Sequence, residues 1–530
     1  MQEVSEAWKN AHKQTLLPET FVEIEMSVTD GAINNLMSIG FGGEYSEFSE
    51  DMFYLVQKSE ISNPAYYATL EENLWLLDGT RQVLPDSSPY STPGYVSKRD
   101  PSSSGRLYFC IKMSNIVSTV SPGITITWSS EYGEYPTRFD IVVSKNGEVL
   151  NTVNVVGNSS NVSMVEFDLT GYNLIEFFVY DWDFPKHRIR IDRVFLGTSM
   201  IFTKEDILSF EHEQTGDVLS ATLSRNSISF ALDNSDDRWN FNNPTGIGKY
   251  LTERQKLTTR YGMDVNGVVE WIPGGTFYLS EWEIPSNGLE ARFVARDAFE
   301  YLINEHYTHY AHPDFVDVLY RIFDQQSEFL DPVLVVSDIS DPTADWDFFG
   351  DSTTAEHIQL VANKYQRLVW YNRRNVLNVM PLNKAIRDYP MTLEFAYSHP
   401  EITLSKPLKA VAVTGYESTD YESASTKDYT ILSVDTKGET QTINNPKMYK
   451  WPTDAGKTGE LMSYAEWVRD MLIPRKKVSG EFRADPRLDL FDIVEIESKY
   501  GVITPVAITT IKYTYNGSFR GYYEGQVIEV

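Results

Sequence analysis

Arg138-Phe139-Asp140-Ile141-Val142-Val143, then Lys145-Asn146-Gly147-Glu148, then the run from 149 to 156, spell a complete β-hairpin. Alternation of apolar and polar residues buries one face of each arm. The Asn-Gly pair supplies two central residues that tolerate positive φ. Working outward, Ile124-Thr125-Ile126-Thr127-Trp128 and residues 163–169, 175–182 and 188–196 repeat the strand signature. Short strands at this spacing predict a β-sandwich over residues 107–197.

Composition agrees with a β-rich chain. Its 530 residues suit three or four domains, and 32 Tyr, 27 Phe and 11 Trp, with many Val, Ile and Thr, favour strands over helical bundles. Lys plus Arg number 46 against 75 Asp plus Glu, a formal charge of -29. That balance argues against a basic nucleic-acid reader and against a binder of anionic membranes. Cys110 is the single cysteine, so no internal disulfide and no Cys-based zinc site can form. Within Leu107-Tyr108-Phe109-Cys110-Ile111 it reads as a buried structural thiol, not a nucleophile. Residues 1–15 lack the apolar stretch of a signal peptide, and no window is long enough to span a bilayer. The expectation is synthesis in a cytoplasm with no stable membrane insertion.

Six segments follow. Residues 1–30 read as an arm and a first strand, Thr20-Phe21-Val22-Glu23-Ile24-Glu25-Met26-Ser27-Val28. Residues 31–106 are loop-rich, with Ser87-Ser88-Pro89 and Pro101-Ser102-Ser103-Ser104-Gly105 as breakers. The sandwich occupies 107–197, and a second β block runs over 198–298, where Asp297 can cap a following helix. Residues 299–395 read as a small α/β module, with helical spacing over 314–324, a helix start near Ser352, and a hairpin around 372–375. Over 396–530, strands return with one amphipathic helix at 461–472 and a final hairpin at Asn516-Gly517.

Chemistry is sparse. His306, His309 and His312 would share one helical face and could bind a metal, yet Pro313 follows directly and a solvated helix end is the adopted reading. Asp338, Asp341, Asp345 and Asp347 miss the regular calcium-loop pattern. No nucleophile elbow, phosphate loop or dinucleotide fingerprint occurs, so no catalytic residue, metal or cofactor is assigned. Asp181-Trp182-Asp183 at a strand end joins acidic and aromatic groups as sugar sites do, although solvation of a core Trp explains it equally well. The sequons Asn158-Ser159-Ser160, Asn161-Val162-Ser163 and Asn516-Gly517-Ser518 mean only turns.

Two stretches carry a resemblance. Leu208-Ser209-Phe210-Glu211-His212-Glu213-Gln214, Ser220-Ala221-Thr222-Leu223, Ser229-Phe230-Ala231-Leu232-Asp233-Asn234, Tyr250-Leu251-Thr252-Glu253-Arg254-Gln255, Arg260-Tyr261-Gly262 and Gly274-Gly275-Thr276-Phe277-Tyr278-Leu279-Ser280-Glu281-Trp282 stand in one order. So do Asp489-Leu490-Phe491-Asp492-Ile493-Val494 and Ile508-Thr509-Thr510-Ile511-Lys512-Tyr513-Thr514-Tyr515-Asn516-Gly517-Ser518-Phe519. The sequence resembles the baseplate or tail-tip hub proteins of phages and prophages of Gram-positive bacteria. The resemblance covers much of 200–300 and 400–530 and rests on the order of the motifs, which are structural.

It implies a mainly β, multidomain fold: hub-type β-barrels over 198–298 and 396–530, the α/β module between them, and an inserted jelly-roll-like, carbohydrate-binding-like sandwich. It also implies a non-enzymatic virion component at the distal end of a tail tube, made in the bacterial host's cytoplasm. Such a hub is a homo-oligomer, a trimer by this reading, that joins the tube to a spike or host-recognition apparatus and opens the DNA channel. Implied partners are a tail tube or distal tail protein, a tape measure protein, and a spike or receptor-binding protein. DNA passes without specific binding, which an acidic wall would favour. The alternative is a peripheral baseplate or receptor-binding protein that grips cell-wall polysaccharide through Trp128, Tyr180, Trp182 and Asp183. A cell-wall hydrolase is the third reading.

Overall fold

The computed structural model describes residues 1–14, 18–28, 40–43, 71, 95–99, 106–117, 121–129, 133–219, 222–243, 246–251, 253–285, 288–302, 333–336, 347–348, 353, 355, 358–359, 362, 366–389, 391–416, 427–444, 448–449 and 460–529. The calls on His306, His309 and His312, on the 314–324 helix, on Asp338, Asp341 and Asp345, and on most of the 31–106 insertion lie outside these residues. The chain is mainly β, with several separate sheets. It divides into two compact units, one of residues 1–24, 202–240 and 256–530, the other of 25–201 and 241–255.

The smaller unit is a sandwich. One sheet runs Gly40–Gly43, Leu107–Val117, Tyr172–Trp182, Pro136–Lys145, Glu148–Val156; the other runs Tyr95–Val96, Arg190–Phe195, Ser121–Trp128, Val162–Leu169. At the Asn146-Gly147 turn both residues have positive φ, 50° and 89°. Leu107, Phe109, Ile124, Ile126, Phe139, Ile141, Phe177 and Val179 are buried in one shared core. Phe109 and Phe177 stack at 4.5 Å. Each such side chain contributes about 1.5–3 kcal/mol on burial, so closure of the two sheets outweighs any propensity of a single hairpin.

The larger unit is built on one long sheet. From Thr20–Val28 it proceeds through Lys256–Val265, Val268–Glu283, Glu290–Arg296, Arg225–Asp233, Ile207–Thr215, Ile503–Tyr515, Phe519–Val527 and Lys476–Arg483 to Glu401–Leu404. Ile493–Glu497 adds to Ile503–Tyr515 from the side. The sequence reading treats 198–298 and 396–530 as separate barrels. Their strands share one ladder, because Ile207–Thr215 pairs antiparallel with Ile503–Tyr515 from Phe210 opposite Tyr515 to Thr215 opposite Thr510. Alternation explains the register: Phe210, His212 and Gln214 are buried, and so are Ile511, Tyr513 and Tyr515.

Smaller modules decorate this sheet. Leu368–Tyr371 and Val376–Met380 form the expected hairpin, whose turn residue Asn375 has φ 57°. Val333–Val336 adds parallel to Val376–Met380. Leu408–Tyr416 lies between Lys427–Ser433 and Glu439–Asn444, and the helix Glu460–Leu472 packs on it. Tyr464, Ala465, Val468 and Met471 form that helix's buried stripe.

Two buried titratable groups in this unit have opposite consequences. His212 is fully buried; its Nε2–H donates to Asn226 Oδ1 at 2.6 Å, and Tyr261 Oη donates to its Nδ1 at 2.6 Å. Burial, then the nearby Arg373 cation, hold its pKa down to about 3. The unfolded chain takes up this proton below about pH 6.5 while the fold refuses it. Its contribution is therefore full above that pH and is lost on acidification toward 3. Asp297 Oδ1 accepts the Phe299 amide at 3.1 Å and so caps the short helix Phe299–Leu302. Its Oδ2 is buried without a partner among the described residues, and burial pushes the pKa up to about 8. Here the unfolded carboxyl ionises first, so stability falls as pH rises from about 4 to 8.

Urea unfolding against pH checks both. His212→Gln should flatten the acid limb below pH 6.5 and cost about 1–3 kcal/mol at pH 7 by leaving Asn226 and Tyr261 unpaired. Asp297→Asn should keep the cap, add about 1–3 kcal/mol at pH 8 and change nothing at pH 4. Equal effects of Asp297→Asn at both pH values would refute the assignment.

Candidate functional site

The residues singled out for sugar binding all lie on the sandwich, and the structure separates them. Trp128 is fully buried, shares its parity with Ile124 and Ile126, and meets Phe139 edge-on at 5.3 Å. Its indole Nε1 donates to Ser163 Oγ at 2.8 Å; Ser163 Oγ in turn donates to Asn158 Oδ1 at 3.0 Å. Asn158 Nδ2 reaches the Pro136 carbonyl at 2.8 Å. The sequon asparagine is thus spent on a turn that orients a core tryptophan. Trp182 is also in the core, edge-on to Phe184 at 5.3 Å. A ladder irregularity explains this, since Phe139 pairs with Val179 but Arg138 with Asp181 and Pro136 with Trp182. The bulge reverses the parity of residue 182 and turns its indole inward. Neither indole offers a face to a sugar, which corrects the expected role of Trp128 and Trp182.

Tyr180 and Asp183 stay accessible. Tyr180 is half-buried on the solvent side of the five-stranded sheet, and Asp183 is exposed in the loop beyond it. Around Tyr180 the sheet assembles residues that the sequence reading passed over. Tyr180 Oη donates to Asp140 Oδ2 at 2.8 Å, and Asn154 Nδ2 donates to Asp140 Oδ1 at 2.6 Å. Three strands are therefore tied through one carboxylate. Arg138 lies over the Tyr180 ring at 5.0 Å and Arg106 over Phe178 at 4.1 Å. Tyr108 packs on Phe178 at 5.2 Å and donates to Glu176 Oε1 at 3.1 Å. Burial, with Cys110 and Glu176 beside it, raises the Tyr108 phenol above its ordinary range. Cys110 itself is buried.

This is a row of half-buried rings, Tyr108, Phe178 and Tyr180, with guanidinium groups stacked on two of them. Such an array can stack on planar or apolar ring faces and present hydrogen bonds at its rim. Asp140 accepts hydrogen bonds from both Tyr180 and Asn154 and so serves here to tie the strands together. The signal for the row was present: in 107–111, Tyr108 has the parity opposite to buried Leu107, Phe109 and Ile111. The unbroken apolar run concealed it. Among the described residues no group of three His, Cys, Asp or Glu could hold a metal ion.

No family model and no curated protein matches the sequence. Solved structures are similar to it in fold. The chain is similar to the prophage MuSo2 43 kDa tail protein from Shewanella oneidensis, at 11% identity over 62% of this chain and 95% of that one, with a TM-score of 0.42. It is similar to the tail protein from Neisseria meningitidis MC58, at 8% identity over 62% and 93%, with a TM-score of 0.42. It is also similar to prophage tail protein gp18 from Listeria monocytogenes EGD-e, at 11% identity over 62% and 91%, with a TM-score of 0.40.

Unfolding energies separate the two kinds of aromatic residue. Trp128→Ala should cost about 3–5 kcal/mol in denaturant unfolding, and Tyr180→Ala about 1 kcal/mol or less. Equal costs would contradict the placement of Tyr180 on the solvent face.

Proposed function

We propose that the chain is a structural protein of a phage tail, a hub or baseplate component at the distal end of the tail tube. One observation carries this reading. The two stretches with hub-like motif order, 208–282 and 489–519, are far apart in sequence yet hydrogen-bonded side by side from Phe210–Tyr515 to Thr215–Thr510. A shared ladder is what two halves of one tube-forming body require, since pairing removes exposed strand edges. The protein works through interfaces and not through chemistry. A homotrimer closes around the channel, binds the tail tube or distal tail protein and the tape measure protein on one side, and carries the spike or receptor-binding protein on the other. Passage of DNA without adhesion calls for acidic side chains on the channel wall, which a chain with 75 Asp and Glu can supply.

A second reading keeps the protein peripheral and lets the sandwich bind host cell-wall polysaccharide. The half-buried row of Tyr108, Phe178 and Tyr180 favours it; retention on an array of host polysaccharides, lost in Tyr180→Ala, is its expected outcome.

Immunogold labelling of particles from an induced producing culture tests the main proposal. Gold should sit at the distal tail tip on the tail axis. Gold off the axis would favour the peripheral reading, and unlabelled particles with free protein in the lysate would refute both. Clearing of host cell walls in zymography would replace them with a hydrolase.

A further inference from the structure

Two exposed arginines stand on the outward face of the five-stranded sheet, and no described residue forms a hydrogen bond or salt bridge with either guanidinium. Arg106 directly precedes Leu107–Val117, and Arg138 lies in Pro136–Lys145. These are the two neighbours of Tyr172–Trp182, so the arginines reach that middle strand from opposite sides. Their guanidinium groups lie over Phe178 at 4.1 Å and over Tyr180 at 5.0 Å. The rings are two residues apart on one face of one strand, which separates the positions beneath the two cations by about 7 Å. Stacking engages only the flat face of a guanidinium. Its N–H donors lie in the plane, in the fork that fits a carboxylate or a phosphate. One unpaired surface arginine is ordinary. Two braced on neighbouring rings are a preset pair of anion forks, which lose less side-chain freedom on binding than unsupported arginines do.

The acceptors around the forks decide what kind of molecule carries the anion. Asp140 accepts from Tyr180 and Asn154, and Glu176 accepts from Tyr108. Asp181 is exposed opposite Arg138 in the ladder. All three carboxylates keep their charge, so the face is no broad positive field and does not suit a bare polyanion such as DNA. Donors and acceptors alternate across it instead. Sugar hydroxyls can donate to the carboxylates while anionic substituents on the same polymer take the guanidinium forks. A protein partner would call for a side chain that anchors in a fully desolvated pocket. Tyr108, Phe178 and Tyr180 are half-buried in a sheet face and present no such anchor.

We infer that this face selects an anionic polysaccharide, a chain of sugars bearing carboxylate or phosphate groups, with Arg106 and Arg138 taking the anions and Phe178 and Tyr180 holding the arginines in place. The inference deepens the peripheral, polysaccharide-binding reading of the sandwich and rests on it. Neutral polysaccharides leave both forks unfilled and bind weakly.

Affinity measurements of the full chain on host cell-wall polysaccharides test it, with each polymer presented untreated, carboxyl-reduced, or stripped of phosphate with hydrofluoric acid. Untreated polymer should be retained. One of the two treatments should abolish retention and thereby name the anion as carboxylate or phosphate. Arg106→Gln and Arg138→Gln should each weaken binding roughly 10-fold or more. Arg138→Lys should not restore it, because an ammonium keeps the charge without the fork. Lys477→Gln, exposed on the larger unit, should leave binding unchanged, and near-UV circular dichroism should show every variant folded. Retention that survives both treatments and both arginine variants, yet is lost in Tyr180→Ala, overturns the inference and leaves the polysaccharide reading standing. Retention of no untreated polymer overturns both. Displacement of the polysaccharide by polyglutamate at equal charge would assign the face to an acidic protein segment and overturn the inference.

Discussion

A fully buried guanidinium organises the larger unit. Arg373 stands in the turn of the 368–380 hairpin, and its Nε lies 2.6 Å from Asp489 Oδ1. Its Nη2 donates to the Leu488 carbonyl at 2.7 Å, and Nη1 donates to the Pro486 carbonyl. The cation also lies 5.6 Å and 5.7 Å from the ring centres of Tyr261 and Tyr513. Those partners come from a loop and two strands remote in sequence from the hairpin, so the ion joins elements that no local propensity brings together. Stripping water from such a group costs several kcal/mol, and only an ion pair plus further hydrogen bonds repay it. Burial alone would push the Asp489 carboxyl up; Arg373 outweighs it, with help from Gln2 at 2.7 Å, and holds Asp489 below the usual carboxylate range. The same cation helps keep His212 neutral. The loop at 484–492 repeats the device at Asp485, which accepts from Trp8 Nε1 at 3.1 Å and from Arg487 Nε at 2.6 Å.

How much of this was legible in the sequence depends on range. Local features read well. The positive φ values at Asn146-Gly147, the hairpin around 372–375 and the stripe Tyr464, Ala465, Val468, Met471 all follow from turn chemistry or periodicity within a few residues. The pairing of His212 with Tyr513 does not, because it joins residues some three hundred positions apart and alternation is silent about which strand lies next door. The Arg373–Asp489 pair was invisible for the same reason. An Arg in a turn reads as solvated until the loop that buries it is known.

The site shows a different limit. Trp128 carried its answer in its parity with Ile124 and Ile126, and the aromatic chemistry of its side chain drew the reading toward function instead. Trp182 carried no such clue, because its inward turn depends on a bulge opposite Arg138 that only the paired strand reveals. Aromatic rings suit a core and a sugar equally. What distinguishes them is which face of the sheet they occupy, a property of the pairing and not of the residue.

The acidity of the chain is also more structured than its net charge suggests. Some of its basic residues are held on aromatic faces: Arg106 on Phe178 at 4.1 Å, Arg260 on Trp271 at 4.4 Å, Arg487 on Tyr389 at 5.5 Å. Arg260 is at the same time bidentate to Glu23, at 2.6 and 2.8 Å. A neutral ring leaves such a cation its charge; it is the carboxylate of Glu23 that cancels the charge of Arg260 in the outward field. At physiological ionic strength that field fades over about 8 Å. A polyanion near this protein therefore responds to the few side chains within that distance, not to the total of -29.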